Sequence, residues 1–328
     1  MNSALVTGGA GFIGHHLIEH LFKNTDWNIV CLDRLDTSGN LNRLTEILDG
    51  TPEYKKRFQF VWHDLKAAIN SQIAHSIGKV RHIFHLAASS HVDRSISDPL
   101  SFVYDNVVGS AHLLDYARNV DSLQSIVNFS TDEVFGPAPH GTYYAEWDRY
   151  DSTNPYSATK AGAEELGIAF ANTYGLPVIT THSMNVFGER QHPEKFVPMC
   201  IKRILHGEKV LIHCNKANQP GSRHYIHARN VSDAVLFLAE HGQKREKYNI
   251  VGHQEVNNLE MAQLIAEIVG KPLDCELIDF HSSRPGHDLR YALKDTKLAT
   301  MGFEYKVSFD ESLRRTVWWT FTNKRWLE

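Results

Sequence analysis

Short apolar runs alternate, over the first half of the chain, with stretches whose apolar positions recur at helical spacing. Residues 4–7, 27–32, 58–62 and 80–86 read as strands, and 125–129 and 177–181 supply two more. Between them, residues 15–22 and 99–118 carry the three- and four-residue spacing of helices with one buried face. Each apolar run is nearly continuous rather than alternating, which predicts strands covered on both faces. Strands of that kind, separated by helices, predict an α/β fold with a Rossmann-type, doubly wound parallel sheet.

After about residue 185 the texture changes. Strands thin out, and Pro193, Pro198, Pro220, Pro272 and Pro285 interrupt the periodicity. This predicts a dinucleotide-binding domain over residues 1–184 and a smaller substrate-binding lobe over 185–328. Residues 225–239 read as a strand and helix and 247–251 as a further strand, so 225–252 is expected to return to the sheet and leave the two lobes interleaved.

Composition narrows the function. A chain of 328 residues with 42% hydrophobic and 22% charged residues can bury a full core. The balance of 34 basic against 38 acidic residues carries no nucleic-acid footprint. No apolar run reaches the roughly 18 residues of a membrane span, and the chain enters a glycine turn too early for a signal peptide, so a cytoplasmic protein is expected. Cys31, Cys200, Cys214 and Cys275 form no CxxC pair and read as free thiols. The pairs His82/His85 and His281/His287 lack companions at metal-ligand spacing, and no metal is expected.

Gly8-Gly9-Ala10-Gly11-Phe12-Ile13-Gly14 follows the first strand and opens the first helix. Gly8 and Gly11 let the backbone turn tightly and approach a pyrophosphate, Gly14 permits close packing of helix on sheet, and the helix N-terminus favours an anion. Asp33 ends the second strand nineteen residues after Gly14. Its carboxylate suits the adenosine ribose hydroxyls and opposes a 2′-phosphate, which favours NAD, although Arg34 beside it cuts the other way. Asp64, also at a strand end, reads either as a partner of the adenine edge or as a helix cap.

In Asn154-Pro155-Tyr156-Ser157-Ala158-Thr159-Lys160, proline falls at a first helical position and sets Tyr156 and Lys160 four apart on one face. A neighbouring ammonium is expected to favour the phenolate, and together with a cationic nicotinamide to make the tyrosine a competent base. Upstream, Ser130-Thr131-Asp132-Glu133-Val134-Phe135-Gly136 places two carboxylates side by side at a strand end. Their repulsion is relieved if one stays a neutral acid while the other works as an anionic base.

Together these motifs resemble the extended short-chain dehydrogenase/reductase family over essentially the whole chain. The Thr-Asp-Glu triplet sharpens the resemblance to the nucleotide-sugar 4,6-dehydratases, above all those acting on dTDP-glucose. So do Gly39-Asn40-Leu41, His85-Leu86-Ala87-Ala88, Ser90 to Ile96, Pro193-Glu194-Lys195-Phe196 and the run from Arg284 to Tyr291. The resemblance implies bound NAD, held by Gly8, Gly11, Phe12, Ile13, Gly14, Asp33, Asp36, Asp64, Leu86, Ala87 and Ser90 with Tyr156 and Lys160. It implies a nucleotide-diphosphate sugar held by Ser90, Thr131, Asn185, Glu194, Lys195, Arg223, His287 and Tyr291. It implies catalysis by Thr131, Asp132, Glu133, Tyr156 and Lys160: oxidation at sugar C4, loss of water across C5 and C6, and hydride return to C6. Family members pair through helices, and a homodimer is expected.

The chain departs from the pattern around the substrate. Ser89 stands for a glutamate, Phe135 for a tyrosine, Val186 for an asparagine, and His224-Tyr225 for Asp-Trp. These changes leave dTDP-glucose, UDP-glucose and UDP-N-acetylglucosamine all open. A 4-epimerase or decarboxylase of the same superfamily would share the cofactor site and the Tyr-Lys pair but would not need Asp132. A non-catalytic NAD-binding protein would need none of the five.

Overall fold

The computed structural model describes residues 2–279 and 289–328. Its centre is a seven-stranded sheet in which every neighbouring pair is parallel. The strands are β1 (Ser3–Thr7), β2 (Asn28–Asp33), β3 (Phe58–Trp62), β4 (His82–His85), β5 (Ser125–Thr131), β6 (Val178–Ser183) and a seventh, Lys247–Ile250. Their order across the sheet is β3-β2-β1-β4-β5-β6-seventh. The chain reverses its winding between β1 and β4, which opens a crevice at the carboxyl ends of those strands.

Every residue of β1, β4, β5, β6 and the seventh strand is buried, as the unbroken apolar runs predict. On one face, α1 (Phe12–Asn24) and the helix Ala228–His241 pack through Leu17, Leu21, Val231 and Val235. On the other, Leu113, Leu114, Ala117 and Ala171 come from helices Gly109–Ala117 and Pro155–Tyr174. Asn154 caps the latter helix by accepting from Ser157 N at 2.9 Å, with Pro155 in its first turn. A separate core, with Val197, Ile201, Met261, Ile265, Leu313 and Val317, holds the remaining lobe together.

Two expectations need correction. Residues 99–118 are not one continuous α-helix: Pro99–Phe102 and Gly109–Ala117 are joined by a wide π turn, Val103–Val108. The turn lets buried Asn106 reach Ser89, accepting from its N–H at 2.8 Å and donating to its carbonyl at 3.0 Å. In the second case, the strand of 225–239 stays outside the central sheet: Ile226–His227 pairs with Val186–Phe187, and only the helix covers the sheet. The strand Lys247–Ile250 does join it, beside β6. Among the described residues, no helix is long and apolar enough to cross a membrane. All four cysteines are free.

Candidate active site

The glycine turn after β1 is built for close approach. Gly8 has φ +70°, and a Cβ there would stand 2.8 Å from Ala87 N, at the end of β4. A Cβ on Gly14 would stand 2.2 Å from Gly8 O, so the first turn of α1 can rest on the loop only without one. Gly11 caps α1 with no side-chain hydrogen bond, and no acid lies in its first turn, leaving the amide end open to an anion.

Asp33 is buried at the end of β2. Its Oδ2 accepts from Ala10 N at 3.0 Å and its Oδ1 from Leu35 N at 2.8 Å. Burial raises its pKa against the pull of those amides. The carboxylate thus fixes the glycine turn and retains lone pairs for further donors. Arg34 does not offer a free charge beside it. Its guanidinium donates to Asp36 at 2.8 Å, to Asp105 at 2.9 Å and to Asp64 at 3.5 Å. Three carboxylates hold it, so its own charge is already claimed and is not open to a 2′-phosphate. Leu86 and Ala87 line the same turn, Ala87 N donating to Thr7 Oγ1 at 3.3 Å, and Ser90 is exposed just beyond.

Strand β5 carries the triplet to the crevice. Thr131 and Asp132 are buried, and Glu133 is half-buried. The Thr131 hydroxyl donates to Asp132 Oδ1 at 3.1 Å and accepts from Glu133 N at 3.3 Å. The other Asp132 oxygen, Oδ2, is buried with no hydrogen-bond partner among the described residues. Burial, with the Glu133 charge behind it and Arg223 opposing, pushes the Asp132 carboxyl up to about 7. The two acids therefore differ in surroundings: Glu133 Oε2 accepts from Asn154 Nδ2 at 3.2 Å, while one oxygen of Asp132 is buried and unmatched among the described residues.

Tyr156 is brought to the same place. Its N–H donates to the hydroxyl of buried Ser95 at 3.1 Å, and its hydroxyl is hydrogen-bonded to Thr131. The protein surroundings of Tyr156 favour the neutral phenol. Burial, then the charges of Glu133 and Asp132, raise the Tyr156 pKa, with only Thr131 drawing it back. The Lys160 ammonium instead donates to the Phe129 carbonyl at 2.5 Å, and burial pushes it down to about 8. A phenol so placed stays neutral until a cation arrives beside it.

The expected sugar-nucleotide residues divide. Arg223 lies 4.6 Å over the ring of buried Tyr291, and its charge reaches Asp132, so these two join the triplet. The Lys195 ammonium is pushed down by burial but drawn back by Glu194 and Glu133. Glu194 is spent on Arg94, at 3.0 Å, across the crevice mouth. Asn185 is exposed past the end of β6. His287, with His281 and the run from Arg284 to Asp288, lies outside the described residues. Of the substituted positions, Ser89 donates to Asp105 at 2.6 Å, and His224 lies 3.6 Å from Glu255.

Sequence reading missed the braces around this centre. Asn106 ties Ser89 to Thr159, donating to its hydroxyl at 2.9 Å, and Arg43 grips the carbonyls of Ala10, Ser38 and Arg190. Only the pairing of Asn154 with Glu133 had a local signal, in the capping residue beside Pro155.

The chain matches the family model described as GDP-mannose 4,6 dehydratase over residues 5–316. It is 35% identical to a dTDP-glucose 4,6-dehydratase of Escherichia coli, covering 99% of this chain and 94% of that one. A crystal structure of DesIV, the dTDP-glucose 4,6-dehydratase of Streptomyces venezuelae, solved with NAD bound, superposes with a TM-score of 0.89 at 32% identity, covering 99% of both chains. The UDP-glucose 4-epimerase of Thermus thermophilus, in complex with NAD, gives 0.86 at 27% identity, covering 97% and 98%.

Proposed function

Since the chain belongs to the GDP-mannose 4,6 dehydratase family, we propose that it is an NAD-dependent nucleotide-sugar 4,6-dehydratase, with dTDP-glucose as its substrate. The observation that carries the reading is Asp132: a buried carboxyl pushed up to about 7, with one oxygen unpartnered, beside a second acid held differently. A 4-epimerase would share the Tyr156–Lys160 pair, but it has no use for an acid kept neutral at this place.

The cradle fits NAD. Gly8, Gly11 and Gly14 leave no room for a Cβ against the turn, the open end of α1 suits a pyrophosphate, and Asp33 with the claimed Arg34 suits unphosphorylated ribose. We assign Phe12, Ile13, Asp36, Asp64, Leu86, Ala87 and Ser90 to the same wall. When bound, NAD supplies oxidation at sugar C4 and the returning hydride at C6.

The chain's own residues move protons. Tyr156 takes the proton of the C4 hydroxyl, with Thr131 holding that oxygen and Lys160 kept beside the pair. The 4-keto group then acidifies the C5 hydrogen, which Glu133 removes. Asp132, protonated near neutrality, gives its proton to the departing C6 hydroxyl, and water leaves. Arg223, Tyr291, Lys195, Glu194, Asn185 and His287 are assigned to the nucleotide-diphosphate sugar, for which an arginine fork and an ammonium suit the phosphates.

We divide the chain into a cofactor domain over 1–184, to which the helix Ala228–His241 and the strand Lys247–Ile250 return, and a sugar-nucleotide lobe over the rest of 185–328. We further propose a homodimer. Leu100, Val103 and Tyr104 are exposed large apolar residues in neighbouring turns, at 67%, 39% and 55% of their full surface, a patch that a second copy would cover. The four free thiols support a reducing compartment, the cytoplasm.

Incubation of the purified protein with dTDP-glucose, UDP-glucose and UDP-N-acetylglucosamine, followed by mass spectrometry, tests the reading. Loss of one water from dTDP-glucose is expected. Loss from another nucleotide instead overturns the choice of base or sugar, and a product of unchanged mass inverted at C4 overturns the dehydratase.

A further inference from the structure

Behind the Tyr156–Lys160 pair lies a buried polar network with no part in the proton transfers above. Its centre is Glu164, one turn beyond Lys160 on the helix Pro155–Tyr174 and fully buried. Every element packed around it contributes a partner. From β5, the Ser130 hydroxyl donates to Oε1. From the loop before the helix, the Tyr150 hydroxyl donates to Oε2. From β6, His182 Nε2 stands 3.0 Å from Oε2, its Nδ1 meeting Asn249 Oδ1 at 2.9 Å. From the seventh strand, Lys247 Nζ lies 3.6 Å away and also bonds Tyr150.

An isolated carboxylate in such a place would be costly to ionise, and a simple core would hold an apolar residue there. Here burial would raise its pKa, yet His182, Ser130 and Tyr150 hold the carboxyl down to about 2, so it is an anion throughout the working range. One carboxylate oxygen, Oε1, faces the catalytic group through Ser130, while Oε2 is held by Tyr150, His182 and Lys247. Ser130 directly precedes Thr131, and Lys160 lies on the same helical face one turn away. Around Lys160 the other neighbours are the Phe129 carbonyl and His85 from β4, whose imidazole is pushed down to about 3 and stays neutral. Glu164 is thus the charge that opposes the burial of the Lys160 ammonium.

We infer that Glu164 is a positioning residue for C4 oxidation: it sets a carboxylate one helical turn behind the Lys160 ammonium, and its bond to Ser130 fixes the Thr131 end of β5 against Tyr156. The inference rests on the proposed roles of Tyr156 and Lys160.

The test uses the C4-oxidation half-reaction in the Asp132→Asn background, where the titration of Asp132 is absent. The rate of reduced-nicotinamide formation with saturating dTDP-glucose is followed against pH. The alkaline limb there reports Lys160, whose ammonium must survive. Adding Glu164→Gln is expected to move that limb to lower pH by about one unit, a tenfold change in proton concentration, and to slow the rate about tenfold at neutral pH. Glu164→Asp should restore the limb, and KM for the sugar should change less than about twofold, since Glu164 touches no substrate. Ser130→Ala should lower the rate evenly across pH.

If Glu164→Gln does not fold, Lys247→Met carries the test, because removing that ammonium strengthens the field of Glu164 and should move the limb to higher pH. A limb that stays fixed in the folded variant overturns the inference, even if the rate falls. Failure of the parent protein to oxidise any nucleotide sugar at C4 overturns the functional reading itself.

Discussion

Replacing Asp132 by asparagine should abolish dehydration and, at the same time, stabilise the fold. The ordinary aspartate pKa is 3.8, and burial with the Glu133 charge raises that of Asp132 to about 7. As pH rises through the lower value, the unfolded chain loses a proton that the folded protein keeps, so stability falls until pH passes the higher one. With a tenfold change in proton affinity for each unit, the accumulated penalty is about 2 kcal/mol near pH 5 and about 4 kcal/mol near pH 8. Asparagine nearly matches the shape and carries no charge. The stability gained by Asp132→Asn over the parent should therefore grow by about 2 to 3 kcal/mol between roughly pH 5 and pH 8. Urea unfolding of both proteins at the two pH values reads this directly, because titrating groups not coupled to Asp132 are shared and cancel. A difference that does not change with pH would refute the claim that Asp132 is held neutral by burial, and with it the division of labour between the two acids. Stability gained where activity is lost is expected of a site kept strained for chemistry.

Further outcomes follow from the same geometry. Glu133→Gln should leave C4 oxidation in place while slowing water loss at least about 100-fold, so that reduced-nicotinamide absorbance accumulates on adding substrate. Gly8→Ala puts a Cβ 2.8 Å from Ala87 N at φ +70°, and should weaken NAD retention about tenfold or more, read by nucleotide content after gel filtration. Leu100→Asp should convert a dimer mass to a monomer mass in light scattering; a parent protein that is already monomeric removes the proposed interface.

What the sequence made legible is what local geometry controls. The glycine turn, the capped helix bearing Tyr156 and Lys160, and the acid at the end of β2 depend on residues within one strand-turn-helix unit, where spacing translates directly into shape. The break at Val103–Val108 was not legible, because it answers to Asn106 reaching Ser89, a partner seventeen positions away. The state of Arg34 was equally hidden: Asp105, which takes much of its charge, stands 71 residues along the chain. Helical spacing showed the proximity of Lys160 to Tyr156 but not their burial, which is the largest effect on both residues. Glu164 carried no signal at all, since its partners come from three strands and a loop.

The most direct test of the central claim follows the hydrogen on C4. With dTDP-glucose deuterated at that carbon, the account predicts a 4-keto-6-deoxy product one water lighter, with the label moved to C6 and visible there by NMR. Label retained at C4 in a sugar of unchanged composition would contradict it and make the chain an epimerase.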